Sequence, residues 1–215
     1  MQQNNKKEIN YIVERDFSAA MRRAAETEEQ YCGMAVESAH YSGDMTAVSF
    51  ADCKFSSCRL SDAEFCRAGF TDCIFVSCDF SNCDFTDAYF NRCVFENCKG
   101  MGAKFFGSVL YSSRFDGCNL SFAAFSKAKL DSVVFCGCRM SDGAVGECKL
   151  KEVKFSDCDF CGCSFFGTKL AGMDLRENSI SGIILSDSLF ELRGAVISGE
   201  QAELVAKMLG IKVKD

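Results

Sequence analysis

From Phe50 to Phe190 every fifth residue is large and apolar, with the single exception of Gly100. Of these 29 positions, 28 hold Phe, Leu, Ile, Val or Met. The pentads read ADCKF at 51–55, SSCRL at 56–60 and SDAEF at 61–65, and later SNCDF at 81–85 and SDCDF at 156–160. A helix repeats about every 3.6 residues and a strand every 2, so a period of five fits neither. Two residues before each large position stands a small one, as at Cys53, Cys58, Ala63, Ala68, Cys73 and Cys78, and twelve of the 16 Cys occupy that slot. The other three positions of each pentad carry nearly all the charge. A small and a large inward residue, two apart and followed by an outward corner, predict a very short strand and then a turn.

Four such sides close a coil of 20 residues, and stacked coils place residues 20 apart above one another at about 4.8 Å. One column is then Phe55, Phe75, Phe95, Phe115, Phe135 and Phe155, ending in Leu175; another is Phe65, Phe85, Phe105, Phe125 and Phe165, interrupted by Val145. Gly100 predicts a void in the core, with Met101 as a candidate filler. The pattern resembles the pentapeptide-repeat family. That resemblance implies an all-β solenoid, a right-handed quadrilateral β-helix of about seven coils over residues 46–190.

A solenoid exposes core and strand edges at both ends and needs caps. Residues 1–45 lack the pattern; Ile9, Ile12, Val13, Met21 and Ala24 follow helical spacing and predict an amphipathic helical cap within 6–30, with 31–45 transitional and Met45 already in phase. Residues 191–215 read as a C-terminal segment built around one helix. Leu192 and Ile197 continue the period in a shifted phase, Ser198 and Gln201 match a capping box, Gly210 predicts the helix stop, and Ile211-Lys212-Val213 suggests a last short strand.

This tail, LRGAVISGEQAELVAKMLGIKV from Leu192 to Val213, resembles the C-terminal segment of the Qnr quinolone-resistance group. The resemblance implies that residues 191–215 are a dimerisation segment and the protein a homodimer, with Leu192, Ile197, Leu204, Val205, Met208, Leu209 and Ile211 in end-cap and dimer contacts. It also implies a rod that binds DNA gyrase or topoisomerase IV, partly imitating duplex DNA, and relieves fluoroquinolone inhibition.

No run of about 18 apolar residues is present, so no membrane span is expected. The polar start MQQNNKK leads into no apolar stretch, which points to the cytoplasm and to reduced thiols. A net charge of −6 argues against direct nucleic-acid binding. The chain carries no phosphate-binding, nucleophile-elbow or metalloprotease motif. No catalytic residue, cofactor or metal is expected.

The column Cys58, Cys78, Cys98, Cys118, Cys138 and Cys158 invites a soft-metal or redox reading, but a straight inward ladder converges poorly on a tetrahedral ion, and buried Cys packs as a small hydrophobe. Cys66, Cys136 and Cys161 follow the large position and read as exposed thiols. His40, the single histidine, has no motif around it.

Charge is banded along the rod. Residues 50–90 hold seven acidic and three basic side chains, 91–130 two and six, and 131–190 nine and six. Asp52, Asp62, Asp72, Asp84 and Asp87 are therefore candidates for an acidic contact surface, and the outward Phe106, Phe122 and Phe166 for a partner surface. The alternative class is a structural or protein-interaction module with another partner and no topoisomerase protection.

Overall fold

The computed structural model describes residues 12–13 and 30–214. Two parallel sheets, of eight and seven strands, run along adjacent sides of a stack of coils. In the larger, Lys54–Ser56, Ile74–Val76, Val94–Glu96, Arg114–Asp116, Val134–Cys136 and Lys154–Ser156 lie one above another, Phe55 over Phe75 over Phe95. In the smaller, the column runs Phe50, Phe70, Phe90, Leu110, Leu130, Leu150. The other two sides pair through single bridges at the same offset, such as Arg59 with Asp79 and Glu64 with Asp84. Those sides are tight turns, closed by Ala63 N–H to Leu60 O (3.1 Å) and Ala68 N–H to Phe65 O (3.0 Å). The four-sided parallel β-solenoid with a C-terminal helix is thus the fold observed.

The corner is set by the residue two past each large position. Ser57, Asp62, Arg67 and Asp72 have φ of 53°, 62°, 57° and 55°. Asp, Asn and Gly adopt this left-handed conformation most readily. Each corner amide then bonds to the next coil, as in Asp52 N–H to Thr71 O and Ser57 N–H to Val76 O, both 2.9 Å.

The inward Phe rings stack with centroids 4.9, 4.7, 4.4, 4.9 and 5.3 Å apart from Phe55 to Phe155. Offset pairs of this kind add about 0.5–1.5 kcal/mol each beyond the area they bury. Neighbouring columns meet edge to face, as Phe90 meets Phe95 at 5.8 Å and 63°. The twelve inward Cys fill the narrow space beside the rings and are buried.

Five expectations are corrected. Ile12 and Val13, assigned to an N-terminal helix, form a strand beside Met34 and Ala35; the rest of that helix lies outside the described residues. Residues 30–45 are a full coil rather than a transition. Tyr31 stands over Phe50 and Val36 over Phe55 at an offset of 19, whereas Asp44 pairs with Glu64 at 20. One residue is missing between Tyr41 and Met45, which hides the coil from a strict count of five.

Gly100 leaves no void. A Cβ there would run into the Phe80 ring and lie 3.0 Å from Leu120 Cδ2, while Met101 is exposed. At the far end the register breaks before Phe190, not after it. Ser164 pairs with Ile184 at an offset of 20, but Asp174 pairs with Val196 at 22. Two extra residues are taken up around the 3-10 turn Phe190–Leu192, so Leu192 and Ile197 carry the shifted phase, as expected. Ile211–Val213 forms no strand.

Candidate functional site

The five candidate carboxylates do not share a face. Asp52, Asp62, Asp72 and Asp87 all sit at corners with φ between 52° and 62°, so each has a backbone reason to be Asp. They occupy three different corners of the coil, and only Asp52 and Asp72 stack in one column. Asp72 is paired to Arg92 at 2.5 Å, and Asp84, on a side rather than a corner, to Lys104 at 3.4 Å. Hydrogen bonds from Thr86 and the Lys104 charge outweigh the upward push of partial burial and hold the Asp84 carboxyl below its usual range. Asp62 accepts from Asn82 Nδ2 at 3.1 Å. Among the described residues Asp52, Asp62 and Asp87 make no ion pair.

Phe106, Phe122 and Phe166 are exposed, as expected. Lys127 Nζ lies 5.4 Å over the Phe106 ring. Phe122 occupies a corner with φ 63°, in the column that holds Asp62, Asn82, Gly102 and Asp142. A bulky residue there is strained by about 1–3 kcal/mol. The sequence signal for this was available in the column, but only once the corner was known to be left-handed.

The thiol ladder is a packing device. Cys78, Cys98, Cys118 and Cys138 each donate from Sγ to the carbonyl of the Phe three residues behind and one coil above, at 3.4–3.5 Å. Burial pushes the thiols of Cys83 and Cys163 up to about 12 and that of Cys148 up to about 11. No group of three His, Cys, Asp or Glu able to hold a metal occurs among the described residues. Cys66, Cys136 and Cys161 are partly exposed and Cys32 is exposed.

The tail is built around Gln201. Helix α1 (Gly199–Met208) opens with the expected capping box: Ser198 Oγ accepts from Gln201 N–H at 3.2 Å, and Gln201 Oε1 accepts from Ser198 N–H at 2.8 Å. The buried Gln201 Nε2 also donates to Leu175 O (2.8 Å) and Asn178 O (2.7 Å), fastening the helix to the last coils. Gly210 (φ 74°) ends it, with Gly210 N–H bonding Lys207 O and Ile211 N–H bonding Ala206 O. Of the seven tail residues, Leu192, Ile197 and Leu204 pack against the core. Val205 is half-buried, and Met208, Leu209 and Ile211 are exposed.

The sequence profile of the pentapeptide repeat region matches residues 48–121 and again 108–185. The chain belongs to the pentapeptide-repeat family. Among solved structures, this pentapeptide-repeat protein is similar to full-length QnrB1, a plasmid-mediated fluoroquinolone resistance protein. The identity is 23%, with a TM-score of 0.52 over 85% of this chain and 95% of that one. It is also similar to the pentapeptide-repeat protein Rfr23 of the cyanobacterium Cyanothece 51142, at 13% identity and a TM-score of 0.32, covering 84% and 99%. No curated protein matches the chain. No helix among the described residues is long and apolar enough to cross a membrane.

Proposed function

We propose that this protein is a non-catalytic rod that acts by being bound, that its partner is DNA gyrase or topoisomerase IV in the cytoplasm, and that it relieves fluoroquinolone inhibition of that enzyme. The observation that carries the reading is the tail. It combines the Qnr-like sequence with a helix fastened to the last coil, and it leaves Met208, Leu209 and Ile211 exposed. An apolar set at the end of a rod is suited to a second copy, giving a tail-to-tail dimer that doubles the rod. Static light scattering at micromolar concentration is expected to give twice the 23.6 kDa chain mass; a monomer would sink the dimer.

The acidic early coils supply the negative potential that partial DNA mimicry needs. Asp52 is the unpaired member of its column, so reversing Asp52 and Asp72 together should weaken enzyme binding. The deciding experiment is a gyrase supercoiling assay with a fluoroquinolone present, titrated with the purified protein. Rescue near stoichiometric protein is the expected result.

A second reading is an interaction module for another protein. It is favoured by the pairing of Asp72 with Arg92 and Asp84 with Lys104, which reduces the acidic surface. No effect on gyrase or topoisomerase IV would select it.

A further inference from the structure

Both sheets stop at one coil. Lys149–Lys151 pairs with Lys129–Asp131, and Lys154–Ser156 with Val134–Cys136, but neither strand has a partner on its other edge among the described residues. The coil that follows changes conformation on these two sides. Where earlier coils are extended, it makes tight turns, closed by Met173 N–H to Leu170 O (3.1 Å) and Asn178 N–H to Leu175 O (3.0 Å). Coil-to-coil bonds such as Ser132 N–H to Lys151 O (2.8 Å) and Lys154 N–H to Val133 O (2.9 Å) have no counterpart between 149–157 and 169–177 among the described residues. On the other two sides the stack is unbroken, with Asp159 paired to Ser179 and Ser164 to Ile184.

The opening has defined limits. At one, Thr168 Oγ1 accepts from Cys148 N–H at 2.8 Å; at the other, Asn178 Oδ1 accepts from Cys158 N–H at 2.9 Å. Both side chains are buried and stand in the small inward slot that Cys or Ala fills in most other coils. They stitch the two coils together at either end and, apart from the Phe155 carbonyl, which accepts from Asn178 Nδ2 at 3.3 Å, leave the strand edges between them without a partner strand. The space between is a cleft of about 830 Å³. Val153, Phe155 and Met173 give it an apolar lining, and its charged groups are Glu152, Lys154, Asp174 and Glu177.

We propose that this cleft takes an extended peptide of a partner protein, which adds as a strand to the open edge between the Glu152 and Asp157 corners. Peptides dock on sheet edges through main-chain hydrogen bonds, with alternate side chains entering pockets. The volume lies in the range of about 300–1,000 Å³ typical of ligand sites. Charge selects the peptide: three carboxylates and one amine line the cleft. Arg176, which pairs with Asp174 at 2.6 Å, and Lys149 and Lys169 on the same coils, lie outside the lining. The incoming segment therefore places a small apolar side chain on Val153, Phe155 and Met173, and a Lys or Arg toward Glu152 and Glu177. This inference holds whether or not the partner is a topoisomerase.

The test uses the full chain and amide hydrogen exchange, with the synthetic octapeptides KVKVKVKV and EVEVEVEV as probes. In the free protein the Glu152 and Asp157 amides should exchange at least about 10-fold faster than the paired Ser132 and Gly137 amides. KVKVKVKV should slow them and bind at least about 10-fold more tightly than EVEVEVEV, a difference of roughly 1.4 kcal/mol. The double variant Glu152→Lys, Glu177→Lys should lose that preference. Protection of Glu152 and Asp157 in the free protein would mean the edge is closed and would overturn the proposal, as would equal binding of the two peptides or protection confined to another part of the chain.

Discussion

Phe80 and Gly100 share one volume: the Phe80 ring fills the space that a side chain on Gly100, one coil below, would occupy. Gly100 is the position where the repeat rule is broken, and restoring the rule should harm the protein. Gly100→Phe overpacks a core whose inward Phe80 and Leu120 are already buried, and is expected to cost about 1–3 kcal/mol. Thermal or urea unfolding of the variant measures this. A midpoint equal to or above that of the parent would show that the space is not shared.

Phe122 should behave in the opposite sense. It is more than half exposed and holds a left-handed corner, so Phe122→Gly relieves backbone strain and gives up little packing. A gain of about 1 kcal/mol in unfolding free energy is expected. If the same variant weakens partner binding, the strain is retained for contact; a loss of stability would contradict the strain.

Glu191 closes the last coil and should make its stability depend on acid. Its buried carboxylate accepts from Gly167 N–H (3.0 Å), Ser186 N–H (3.1 Å) and Ser186 Oγ–H (2.9 Å). Burial pushes its pKa up, but these hydrogen bonds outweigh that push and hold it below the ordinary value. A depressed carboxyl stabilises the fold above the unfolded pKa, about 4.3 for Glu, and loses that contribution as pH falls through its folded pKa. Glu191→Gln should therefore cost about 1–2 kcal/mol at neutral pH, the difference between charge-assisted and neutral hydrogen bonds. The gap between variant and parent should narrow below about pH 4. A gap that stays constant from pH 7 to pH 3 would rule out the carboxylate.

The thiols should divide sharply in reactivity. Twelve of the 16 Cys occupy inward slots and are buried, while Cys32, Cys66, Cys136 and Cys161 are not. N-Ethylmaleimide at pH 7.5 on the native protein should add no more than four adducts by intact mass, and all 16 after denaturation. Rapid labelling of the inner ladder would show that the stack opens.

The period of five is a local property, and everything that depends on it alone was legible: inward Phe, small Cys neighbours and outward charge. Ser198, Gln201 and Gly210 marked the helix ends for the same reason, since capping is decided within a few residues. The coil at 30–45 was not legible, because one missing residue between Tyr41 and Met45 shifts the phase without disturbing the stack. The acidic candidates looked like a surface in the sequence, yet the coil sends them to three corners and one side and pairs two of them with cations.

The sequence by itself determined that the chain coils in fives, which side chains face inward, and where the C-terminal helix begins and ends. Only the tertiary structure decided how each coil lies on the next, because those bonds join residues about 20 positions apart and no local pattern reports them. Inward Leu and Phe continue on both sheet sides, yet one coil keeps extended edges at Leu150 and Phe155 while the next turns on itself at Leu170 and Leu175. The same distant packing lets Phe80 take the place of the side chain that Gly100 lacks.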